Sequence, residues 1–176
     1  MKKVLALFLV LGLASVSSAA LVLSPGAVAD SGASTIVMST DSEIGAVAGG
    51  EGYLALVCDG GVGAITALAE LFNPGMGDVQ AYDGVVGTFG VTGLPAGSEG
   101  AWCAVFGLNG AIPAGSDLLS FTFDAVGPGV IELYELNNIG TEVAAGPIAT
   151  VDVIPEPMTM SLLALGGLGL LRRRRA

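Results

Sequence analysis

An all-β domain, built as a sandwich or barrel and flanked by export signals, is what this 176-residue sequence predicts. Three observations carry that expectation. Short apolar runs are separated by turn chemistry at intervals of about ten residues, as at Asp59-Gly60-Gly61, Asn73-Pro74-Gly75, Asn109-Gly110 and Gly127-Pro128-Gly129. Leu119, Phe121, Phe123 and Ala125 alternate with Ser120, Thr122 and Asp124, a period of two that puts one set of side chains on a buried face. Finally, nearly all of the 28 glycines fall between Leu21 and Ile154, where they punctuate strands rather than helices.

Read in order, the chain opens with a secretory signal peptide over residues 1–20. Lys2 and Lys3 form the basic region, Val4 to Leu13 the apolar region, and Ser18-Ala19-Ala20 the small-residue cleavage site. Cutting after Ala19 or after Ala20 suits the pattern, and an uncleaved N-terminal anchor is the alternative. No cysteine stands near the site, which speaks against a lipoprotein. The secreted domain, residues 21–153, is long enough for a real core. Strands are expected at Thr35–Thr40, Gly52–Cys58, Ile65–Phe72, Gln80–Phe89, Ala101–Leu108, Leu118–Val126, Val130–Leu136 and Ile148–Val153. The run Val62–Phe72 also fits a short helix. The expected core includes Val57, Leu119, Phe121, Phe123 and Ile131, with Asp124 and Glu132 outside.

The charge distribution excludes whole classes of chemistry. All six cations lie in the two ends, at Lys2, Lys3 and Arg172 to Arg175, and there is no histidine. Of the 16 acidic residues only Glu156 lies beyond the secreted domain. No Ser-His or Cys-His nucleophile, Schiff-base lysine or basic phosphate clamp can therefore be built between residues 21 and 154. Nucleic acid and anionic lipid should be repelled. No enzyme activity and no required cofactor is expected; a carboxylate pair of glycosidase type is the residual catalytic option. Ca²⁺ is the one cofactor the acids suggest, with Asp41 and Glu43, or Asp78 and Asp83, as candidate clusters, although no EF-hand spacing is present. Otherwise the acidity serves solubility. Cys58 and Cys103 are the only cysteines, and in an exported domain an even pair suggests a disulfide, with two buried thiols as the alternative. Trp102, Tyr53, Tyr82 and Tyr134 are candidates for a sugar-stacking platform, or else core aromatics.

The C-terminal end, residues 154–176, reads as a sorting signal. Pro155-Glu156-Pro157 is a stiff, extended, singly charged handle, because each proline fixes its own φ and pushes the preceding residue toward extended geometry. The uncharged run Met158 to Leu171 follows. As a helix at roughly 1.5 Å per residue it spans about 21 Å, short against a hydrocarbon core of about 30 Å. Arg172, Arg173, Arg174 and Arg175 then form a basic stop, costly to translocate and able to snorkel to headgroups. This leaves the C-terminus cytoplasmic and the domain outside. Gly166, Gly167 and Gly169 give the segment a smooth face for close approach to another membrane helix.

These last residues closely resemble the PEP-CTERM signal of Gram-negative bacteria, with Ile154 where that family usually has valine. The resemblance implies processing by an exosortase, in addition to signal peptidase, in a bacterium that makes an extracellular polysaccharide matrix. The tail would anchor the chain in the inner membrane only before processing, as in a GPI signal. A weaker resemblance concerns Asp117 to Leu133, Asp-Leu-Leu-Ser-Phe-Thr-Phe-Asp-Ala-Val-Gly-Pro-Gly-Val-Ile-Glu-Leu. It is similar to the late strands of cohesin-type domains, jelly-roll sandwiches related to carbohydrate-binding modules. That resemblance implies a fold and transfers no binding residue. Three functions are thus in view: a structural or adhesive surface or matrix protein, a module that binds a glycan or partner protein, and a small carboxylate-dependent hydrolase.

Overall fold

The computed structural model describes residues 21–45, 52–73, 75–82 and 90–156. The expected signal peptide with Ala19 and Ala20, the membrane segment 158–171, Pro157, Arg172 to Arg175 and Asp83 lie outside the described residues. Among the described residues the chain is all-β, with ten strands and no helix. They are β1 (Leu21–Ser24), β2 (Ala27–Ala29), β3 (Gly32–Thr40), β4 (Gly52–Asp59), β5 (Gly63–Glu70), β6 (Val79–Tyr82), β7 (Ser98–Val105), β8 (Asp117–Ala125), β9 (Gly129–Leu136) and β10 (Val143–Ile154).

Two sheets result. A four-stranded sheet has the order β1-β3-β8-β5, and a six-stranded sheet the order β2-β10-β9-β4-β7-β6. Every pairing is antiparallel except β2 with β10. Ile36, Met38, Leu119, Phe121 and Phe123 from the first sheet meet Leu54, Leu56, Cys103, Ile131, Leu133 and Val151 from the second in one buried cluster. The period of two in β8 has the expected consequence: Leu119, Phe121 and Phe123 are buried and Asp124 is exposed.

β5 resolves the ambiguity of Val62–Phe72. Ile65 and Leu68 lie three residues apart, a helical spacing, and both pack against the core. A bulge between Ile65 and Ala67 inserts one extra residue opposite β8 and so brings both to the same face of a strand. β4 departs from simple alternation because both its faces are covered: Leu54, Leu56 and Cys58 join the main core, while Ala55 and Val57 join a second, outer cluster with Tyr134 and Leu136. Val57 is thus buried as expected, but in the outer cluster rather than in the main core with Leu119, Phe121, Phe123 and Ile131.

The expected disulfide is absent: Cys58 and Cys103 are free, buried thiols. In the β4–β7 ladder Cys103 stands opposite Leu54, and Cys58 opposite Glu99. The thiols share a face but sit four residues out of register, about 13 Å at roughly 3.3 Å per residue. A bridge needs Cα atoms within about 7 Å.

The chain begins earlier in the fold than its turn signals suggest. β1 pairs with the end of β3, Leu21 opposite Thr40, and the chain then crosses to the other sheet as β2. Gly32, at the start of β3, follows directly on the corner where β10 ends, since the Asp30 amide donates to the Ile154 carbonyl at 2.9 Å. The chain therefore enters at one end of β3 and leaves at the other, about 26 Å apart along the strand.

Candidate functional site

The exit of β10 is the best-built candidate. Val151 and Val153 are buried in the core, whereas Asp152 and Ile154 point outward. β9 stops pairing at Gly129, opposite Val153, so beyond that point, among the described residues, β2 alone accompanies the chain. Asp152 donates its amide to the Gly26 carbonyl at 3.0 Å, and Asp30 donates to Ile154. Continuing past the last strand residue, the Glu156 amide donates to Asp30 Oδ1 at 3.3 Å, and Ser31 Oγ donates to Glu156 Oε1 at 2.8 Å. Pro155 and Glu156 are exposed. The first part of the motif thus lies on the surface, at the rung where the sheet ends, with no linker between domain and handle.

The four candidate aromatics fall on the outer face of the six-stranded sheet. Tyr53 and Trp102 stack at 5.1 Å with planes 8° apart, Tyr82 lies 4.5 Å from Trp102, and Phe106 meets Tyr53 edge-on at 5.4 Å. Gly140 of the β9–β10 turn lies over Trp102, so close that a Cβ there would come within 2.6 Å of the indole. Val91, Leu94 and Val143 cover the rest of the cluster. A sugar platform presents ring faces to solvent. Here Tyr53 and Trp102 spend their faces on each other. Tyr134 stands apart, donates to Glu132 Oε2 at 3.0 Å, and has its phenol pushed up by burial first and by that hydrogen bond second.

The acids do not converge. Asp41 and Glu43 are exposed, and among the described residues no three metal-ligating side chains are grouped. Asp78 is buried, and its carboxylate accepts the Asn109 backbone amide at 2.9 Å, so it ties down the loop after β7. A groove of about 340 Å³ between β4, β9 and the 95–98 turn is lined by Val57, Cys58, Asp59, Pro95 and Glu132. Cys58 is the thiol in its lining, and it is poorly activated. Burial, then the nearby carboxylates Glu99 and Asp59, push the thiol up to about 11. Burial alone pushes Cys103 to about 12. Both remain protonated and inert at neutral pH.

Sequence reasoning placed the motif at the end of a strand. It missed Asp30 and Ser31, the residues that hold it, because they lie more than a hundred positions away in the chain and carry no motif of their own. No family model, curated protein or solved structure matches the chain.

Proposed function

We propose that this is an exported bacterial surface or extracellular-matrix protein, non-enzymatic, structural or adhesive, delivered by an exosortase that reads its C-terminal signal. Signal peptidase removes residues 1–20, and the 158–171 segment with its arginine stop holds the chain in the inner membrane until the second cut. The cargo is then the two-layer domain, a β-sandwich of the jelly-roll, cohesin-like kind. The single observation that carries this reading is the continuity of β10 with Ile154-Pro155-Glu156, which sets the first part of the PEP motif at the surface of a folded, acidic, cation-free domain.

Recognition of a matrix polysaccharide or partner protein is the second reading. Tyr53 and Tyr82, half-buried at the margin of the outer face, favour it, and a glycan array with a pull-down separates it from a purely structural role. The sorting reading is tested by replacing both Pro155 and Glu156 with alanine in the native host. Full-length protein should accumulate in the inner membrane. Normal processing and release of the doubly substituted chain would make the tail an ordinary anchor.

A further inference from the structure

The contacts at Asp30 and Ser31 do more than finish a sheet. In a parallel ladder one strand's alternate residues exchange hydrogen bonds with backbone groups on the other. β2 supplies such partners to β10 through Ile154. The next acceptor in line would be the Asp30 carbonyl, but the chain turns away at Gly32, whose φ of +76° bends it into β3. The Asp30 carboxylate takes over the task and accepts the Glu156 amide, while Ser31 holds the Glu156 side chain. One edge of the motif is therefore occupied. Among the described residues the opposite edge is unpaired past Gly129, but Pro155 carries no N–H to offer there.

We propose that the β2–β3 corner, through Asp30 and Ser31, is a strap that masks the sorting motif, and that the motif is read only when the strap lets go. This rests on the sorting function proposed above. A processing enzyme that takes the motif as an extended strand recognises it through backbone groups and alternate side chains. The strap holds both the Glu156 amide and the Glu156 carboxylate. It consists of two exposed side-chain contacts just beyond β2, whose Val28 stays in the core with Val151 and Val153, so the contacts can release without unfolding that core. It also forms only after β2 and β10 have met, near opposite ends of the chain, so a chain that has not finished folding presents a bare motif and a folded one presents a guarded motif.

The test combines Asp30→Ala with Ser31→Ala in the full-length protein in its native host, followed by pulse-chase. Loss of two side-chain hydrogen bonds of ordinary net worth shifts the release equilibrium by about fivefold at the low end and about thirtyfold at the central value, up to roughly 150-fold. The rate of C-terminal processing should rise accordingly, and Asp30→Asn with Ser31→Thr, which keeps both contacts, should restore the native rate. An unchanged rate in the double alanine variant overturns the strap. Hydrogen exchange on the full chain in detergent micelles decides the matter independently of any exosortase. The Glu156 amide should exchange several-fold faster in the alanine variant than in the native chain, and equal exchange overturns the strap. If the native chain is never processed, the sorting reading fails, while the exchange result still stands or falls by itself.

Discussion

The inner face of the six-stranded sheet presents Leu56, Cys103 and Leu133 to a core shared with the other sheet, whereas the outer face presents Val57, Trp102 and Tyr134 to loop residues. Both sets come from the same three strands, β4, β7 and β9, one residue out of phase. The inner face meets a second layer and closes dry, with Leu54, Ile131 and Leu133 fully excluded from solvent. Among the described residues the outer face has no second layer. It is covered by the 90–97 loop and the β9–β10 turn, and its larger rings compensate by stacking on one another. An aromatic-rich sheet face is thus not evidence of a sugar site until the direction of the ring faces is known. Here that direction favours cohesion, which leaves the β10 exit as the feature on which the proposed function rests.

The largest expected difference between the faces is in stability. Phe123→Ala, which empties a fully buried site between the sheets, should cost about 3–5 kcal/mol in urea denaturation. Trp102→Ala, at a half-buried site, should cost about 2 kcal/mol, from part of a large side chain and the lost stacking. Equal costs would make the outer cluster a second core. No cost for Trp102→Ala, joined to loss of glycan binding, would restore the platform reading.

A smaller effect separates the faces at high pH. Cys58 and Cys103, on the inner face, are held at about 11 and about 12 against an ordinary value of 9.0. The folded state binds these protons more tightly than the unfolded chain. Their contribution is complete below pH 9, where both states are protonated, and stability should fall as pH rises from there toward 12. Cys58→Ser and Cys103→Val should shift this alkaline fall, and a thiol reagent at pH 8 should label neither cysteine in the folded protein. Rapid labelling of both without unfolding would contradict the inert inner face. Tyr134 on the outer face is also pushed up, by burial first, so ultraviolet difference spectra are needed to tell phenol from thiol.

What the sequence made legible follows from locality. β8 and β9 announce themselves, because alternation at Leu119–Phe123 and the Gly127-Pro128-Gly129 turn are local signals. The bulge in β5 hid the parity of Ile65 and Leu68 and let a strand imitate a helix. β1 went unread because Leu21-Val-Leu continues the small and apolar residues of the signal peptide. The cysteines were paired by count, but register decides pairing, and register depends on the whole β4–β7 ladder. Of the candidate site, Pro155 and Glu156 were visible as a motif. Its partners Asp30 and Ser31 were not, since the contact between Ser31 and Glu156 spans 125 positions of sequence.

The central claim is that this folded domain is cargo and its C-terminal end an address removed on delivery. Intact mass of the protein recovered from the envelope and from the medium tests it most directly. The expected result is a chain that begins at Ala20 or Leu21, retains β10 through at least Ile154, lacks the arginine cluster, and carries any group added at its new C-terminus. A mass that runs through Ala176 in both fractions would contradict the account.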